Sequence, residues 1–273
     1  MTRILLLALV VFSSRPIALA AQGASIAPHA VVIDDRLRSN TVTLHNPGAT
    51  AIEVTVGTAY GYPVTDSTGQ FTLLCLDDST AGSASSWITA YPRRFVLPPL
   101  ARQTVRLLAR PPKELAPGEY WARLAVTTRA ASMPATTTDS SAIQVGLALE
   151  VRTLLPIYYR KGAMHTSLSF DGATTTRLED SVAFRLSMHR DGVAAFVGQI
   201  HAELLDGTGR VVREGRLPIA VYHSAEPRLQ FPVAGLLQGR YRLRLEARTE
   251  RPDADAGALI QSPPVRAEFD VIL

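Results

Sequence analysis

The chain has 273 residues, 47% of them hydrophobic and 19% charged, with a formal charge of +4 and one cysteine. That length and apolar content can bury one large core or two ordinary ones. A single cysteine, Cys75, excludes an intrachain disulfide, and the near balance of charge gives no reason to expect a nucleic-acid partner.

Residues 1–20 read as a cleaved signal peptide. Arg3 lies in a short basic start, Ile4–Phe12 is an unbroken apolar run, and Ala18-Leu19-Ala20 fits small-residue cleavage. The run is too short to anchor a chain in a bilayer. Export, with no membrane span, is therefore expected. This segment holds Arg3 and Arg15 and no acid, so 26 basic and 24 acidic residues remain after it. The basic residues are nearly all arginine.

From residue 25 onward the hydrophobic period is two. Val42 and Leu44 alternate with threonines; Ile52, Val54 and Val56 alternate with Glu53 and Thr55. Gly61–Ser85 reads as an irregular insertion holding Cys75. In Ser85–Arg110, "SSWITAYPRRFVLPPLARQTVRLLAR", Arg93–Arg94 and Pro98–Pro99 fall between two strands. Proline has no ladder donor, so this is expected to be a corner with solvated arginines. Tyr120, Ala122, Leu124 and Val126 share one strand face, and Arg129–Ser141 reads as a loop. A long strand follows, from Ile143 to about Tyr159. Tyr159 and Arg160 end it and are expected at a domain junction.

Alternation resumes near Thr166. Val182, Phe184, Leu186 and Met188 form one row, then Leu229, Phe231 and Val233, then Tyr241, Leu243 and Leu245. Turn signals such as Asn46-Pro47-Gly48 and Asp206-Gly207-Thr208-Gly209 separate the strands. No capped stretch of ten or more residues has helical period. The expected fold is all-β: two Ig-like β-sandwich domains, 21–160 and 165–273, with a short hinge at Arg160–His165.

Nothing suggests catalysis. His29, His45, His165, His189, His201 and His223 are widely spaced and have no metal-ligand pattern, and no nucleophile or zinc-protease motif is present. The protein is expected to be no enzyme and to need no metal or cofactor.

Residues 25–160 resemble the PapD-like periplasmic pilus-assembly chaperones. The resemblance rests on five ordered motifs: "SIAPHAVVIDD", "TVTLHNPGATAIEVTV", "WITAYPRRFVLPPLARQTVRLL", "LAPGEYWARLAV" and "IQVGLALEVRTLLPIYYR". It implies donor-strand complementation, in which an edge strand of the chaperone is lent to an incomplete pilin-like subunit until an outer-membrane usher receives it. The donor row would be Ile143, Val145, Leu147, Leu149 and Val151, with Gln144, Gly146, Ala148 and Glu150 facing away. Read without the resemblance, the same alternation is that of a strand filling the chain's own core. The family's carboxylate-binding Arg and Lys are missing: Ala30 and Pro156 occupy those positions. His29, Arg36 and Arg152 are the substitutes at hand, and Arg152 lies on the donor strand itself. The missing pair keeps open an alternative, a structural or adhesive envelope β-sandwich without chaperone activity.

Overall fold

The computed structural model describes residues 23–131 and 149–273. The expected signal peptide and donor-row residues Ile143, Val145 and Leu147 lie outside them.

Among the described residues ten strands make the first sandwich: β1 (Ser25–Ala27), β2 (Val31–Asp34), β3 (Ser39–His45), β4 (Ile52–Thr65), β5 (Phe71–Leu76), β6 (Ile88–Tyr91), β7 (Arg94–Leu97), β8 (Arg102–Ala109), β9 (Gly118–Ala130) and β10 (Glu150–Lys161). One sheet runs β1-β3-β8-β6. The other runs β2-β10-β9-β4, with β5 and β7 both pairing to β4. Alternate residues of the two sheets meet inside. Val42, Leu44, Val105 and Leu107 face Val54, Val56, Leu124, Val126 and Ile157, and burial of such side chains contributes about 1.5–3 kcal/mol each.

The proline corner is built around Asn46, which is 1% exposed. Its amide nitrogen donates to the carbonyls of Thr50 (2.8 Å), Leu97 (3.1 Å) and Pro98 (3.1 Å), and its oxygen accepts from Gly48 N (3.0 Å). One buried side chain thus satisfies backbone carbonyls at a point where Pro98 and Pro99 preclude a ladder.

Gly61–Ser85 is not irregular throughout. β4 continues to Thr65 and folds back as β5, with Tyr60 opposite Leu76 and Thr65 opposite Phe71. Asp66 Oδ1 closes the turn by accepting from Thr68 N (2.9 Å) and Gln70 N (3.0 Å), and Gly69 supplies the positive φ of +81°. Cys75 is an exposed free thiol in β5.

Eight strands make the second sandwich: β11 (Thr166–Arg177), β12 (Ser181–Gly192), β13 (Phe196–Leu205), β14 (Val211–Val221), β15 (Ser224–Ala225), β16 (Arg228–Pro232), β17 (Arg240–Arg248) and β18 (Val265–Ile272). β11-β12 with β15 and β16 face β14-β13-β17-β18 across a core that includes Phe184, Leu186, Phe196, Leu204, Leu243 and Leu245. The only helical pieces among the described residues are single 3₁₀ turns at Ser85–Trp87 and Ala256–Ala258.

Gly162–His165 joins the sandwiches. His165 O accepts from Val193 N (3.1 Å) and Ala194 N (3.2 Å), which straps the connection to the second domain. A third cluster fills the space between the domains: Tyr60, Trp121, Tyr158, Ala195 and Tyr222, flanked by Tyr62 and Leu76.

Candidate functional site

β10 pairs antiparallel with β9 along its whole length, from Glu150 opposite Arg129 to Lys161 opposite Gly118. On its other side β2 covers only Ile157–Arg160. Residues Glu150–Pro156 therefore present an open sheet edge among the described residues. An open edge is a template for another strand.

Side-chain phase gives this edge its chemistry. Leu155, Ile157 and Tyr159 are 5%, 0% and 0% exposed and enter the first core. Thr153, Val151 and Leu149 continue the same alternate row outward. Val151 is half-buried, whereas Thr153 and Leu149 are exposed, Leu149 at 53%. The row therefore leaves the core as the strand loses its second neighbour. Val96 is also exposed at this end of the sandwich, and with Phe95 it lines a shallow groove beside Arg129 and Glu150. Arg152 lies on the opposite face of the strand and is exposed.

The other end of β10 enters the interdomain junction. Alternation separates two neighbouring tyrosines there. Tyr159, expected at the junction, instead lies in the first core, with its ring perpendicular to Trp87 at 4.8 Å and its hydroxyl without a hydrogen-bond partner among the described residues. Tyr158 is the junction residue, because successive residues of a strand point to opposite faces. Its hydroxyl accepts from Tyr222 OH of the second domain at 3.0 Å. Burial, reinforced by Tyr222, pushes the Tyr158 phenol well above its usual range. Burial likewise pushes Tyr60 up to about 12, with Tyr62 and Tyr222 adding to the effect.

Arg160 crosses the junction. Its Nε donates to Glu119 Oε2 at 2.8 Å and its Nη2 to Ala258 O at 2.5 Å. The Glu119 side chain is 1% exposed. Its second oxygen accepts from Trp121 Nε1 (2.8 Å) and from Ala195 N of the second domain (3.0 Å). A carboxylate buried this deeply is tolerated because its lone pairs are met by charged and neutral donors.

Ala30 packs at the edge of the junction cluster, and Pro156 lies directly across from Arg123 of β9. The cation near this point is thus on the neighbouring strand. Arg123 is 7% exposed; its Nε donates to Gly61 O at 3.0 Å and its Nη2 to Tyr222 OH at 3.5 Å. Arg190 reaches the same cluster from β12, donating to Tyr222 O at 2.7 Å with its guanidinium 5.9 Å from the Trp121 ring centre.

Glu119, Trp121 and Arg123 are the functional-looking residues that the sequence reading passed over. Their spacing of two places them on one face of β9, opposite the apolar row Ala122, Leu124 and Val126. That pattern would ordinarily indicate a solvated face. Here the second domain covers it.

Among the described residues no group of three or more His, Cys, Asp or Glu is placed to hold a metal ion, and no helix is long and apolar enough to cross a membrane.

The described residues form two sandwiches with an open, partly apolar sheet edge at Glu150–Pro156 and a packed interdomain junction. No protein-family model and no curated protein matches the chain. Among solved structures it is similar to the YadV chaperone, at 17% identity over 89% of this chain and 99% of that one, with a TM-score of 0.48. It is also similar to the Pseudomonas aeruginosa CupB2 chaperone, at 14% identity, 91% and 100% coverage, and a TM-score of 0.42. A third is the CsuC–CsuE chaperone–tip subunit pre-assembly complex of Acinetobacter baumannii chaperone-usher pili, at 14% identity, 77% and 89% coverage, and a TM-score of 0.41.

Proposed function

We propose that this protein is a periplasmic chaperone for pilus- or fimbrial-type subunits and acts by lending β10 to an incomplete client sandwich. The observation that carries the reading is the open edge Glu150–Pro156, along which Thr153, Val151 and Leu149 extend the core row out of the protein's own interior. The ordered chaperone-like motifs of residues 25–160 point the same way. In β-augmentation the backbone edge supplies hydrogen bonds and alternate side chains fill pockets. Leu149 and Val151 are the donor residues on this reading, continuing the row Ile143, Val145 and Leu147. Arg152, exposed on the same strand, is the cation available to a client carboxylate in place of the absent pair at Ala30 and Pro156. An outer-membrane usher is the expected recipient of the client, and domains 21–160 and 165–273 act as one carrier.

The test is purification of the tagged protein from periplasm, with the co-purifying partner identified by mass spectrometry. An incomplete β-sandwich subunit lost on Leu149→Arg substitution is the expected result. Recovery of the protein alone, under conditions where pilus subunits are made, would overturn the reading.

A further inference from the structure

β4 is longer than its sheet requires. It pairs with β9 only as far as Ala59; from Tyr60 onward its sole strand partner among the described residues is β5. The hairpin Tyr60–Leu76 therefore leaves the first sandwich as a two-stranded arm, and six residues of β4 at about 3.3 Å each give it a reach of about 20 Å. A lone two-stranded ribbon is marginal in water. This one lies along the second domain.

Its base enters the junction: Tyr62 stacks on Tyr222 at 5.9 Å and meets His223 edge-on at 4.9 Å. The turn makes three backbone-directed contacts with the second sandwich. Thr65 Oγ1 accepts from Glu226 N at 2.8 Å, Arg185 Nη2 donates to Ser67 O at 2.5 Å, and Arg228 N donates to Gly69 O at 3.0 Å. Phe71 packs against the second core. The approach at Gly69 leaves no space for a side chain, since an added Cβ would lie 2.6 Å from Arg228 Cβ and 2.8 Å from Arg228 N.

We propose that this hairpin is a strut that fixes the angle between the two sandwiches. Two domains joined by a short linker are by default free to move. The linker Gly162–His165 and the contacts of Glu119 with Ala195 N and of Arg160 with Ala258 O hold one side of the junction, and an attachment about 20 Å from the arm's base opposes rotation about that side. Resting on the chaperone reading, the strut also presents a client seated on β10 to a constant surface of the second domain.

The test uses the full exported chain in a Cys75→Ser background, with spin labels at Thr104→Cys and Glu250→Cys, one exposed position in each domain. In the arm-shortened variant, Thr65–Phe71 is replaced by Asn-Gly, so that Val64 and Thr72 flank a two-residue hairpin turn. The parent should give one narrow interdomain distance, and the shortened variant should broaden it about twofold or more, towards the mobility usual for linked domains, with its circular dichroism unchanged. Gly69→Val and Arg185→Gln should broaden it to a lesser degree, and they decide the matter if the shortened chain does not fold. An unchanged distribution in the shortened variant, or in both point variants where it does not fold, overturns the strut. The distance is read without client, so a missing client would remove the chaperone reading and leave this inference standing.

Discussion

Replacing Leu149 with arginine separates an edge that is lent out from one that merely frays. Leu149 is 53% exposed, whereas Leu155, six residues along the same row, is 5% exposed. In the free protein the change at Leu149 should behave as a surface substitution, within about 0.5 kcal/mol. Truncating a buried leucine costs about 2–5 kcal/mol, and an unpaired buried charge adds to that. With about 2–4 °C of melting temperature per kcal/mol, Leu155→Arg should lower the melting point by at least about 4–20 °C, and Leu149→Arg by almost nothing. In a client complex the same Leu149 would fill a pocket contributing about 1.5–3 kcal/mol, so its loss should weaken capture roughly 10- to 150-fold. Thermal melting and client titration on both variants read the two quantities. A large fall in melting temperature for Leu149→Arg would refute the assignment of this row to the edge. Unchanged melting with undiminished capture would refute its role in binding.

Three further outcomes follow from the junction and the corner. Glu119→Ala should cost about 3–5 kcal/mol in urea unfolding, because it strands the charge of Arg160 and the donors of Trp121 and Ala195. Asn46→Ala should cost about 1–3 kcal/mol by leaving the carbonyls of Thr50, Leu97 and Pro98 without their donor, which melting of the single variant measures. Two histidines should give opposite pH responses in melting scans between pH 5 and 8. Burial, helped by Arg190, lowers the His223 pKa, so its contribution is present above the ordinary imidazole value and lost as pH falls through the folded one; His223→Gln should flatten that acid-side loss. The carboxylate of Asp171 raises the His189 pKa, so its contribution is complete below the ordinary value and lost as pH rises through the folded one; His189→Asn should remove stability on the acid side only.

The sequence by itself determined the class of fold. Rows such as Val42–Leu44, Val182–Met188 and Tyr241–Leu245 repeat at two, and burial of one face of a pleated strand requires that period. The arm was not read from the sequence, where Gly61–Ser85 looked irregular, although a signal for it was present: Asp66-Ser67-Thr68-Gly69 matches the turn at Asp206-Gly207-Thr208-Gly209, where Asp206 Oδ1 likewise accepts from Thr208 N and Arg210 N. Only the tertiary structure decided which side of each strand meets what. Nothing local distinguishes Tyr158 from Tyr159, yet one faces the second domain and the other the first core. Glu119, Trp121 and Arg123 look like a solvated row until the second sandwich covers them. The open edge of β10 likewise depends on where β2 stops pairing, at Ile157. Periodicity records which residues share a face. Which neighbour covers that face is settled by segments far away in the chain, whose packing leaves no mark on the local pattern.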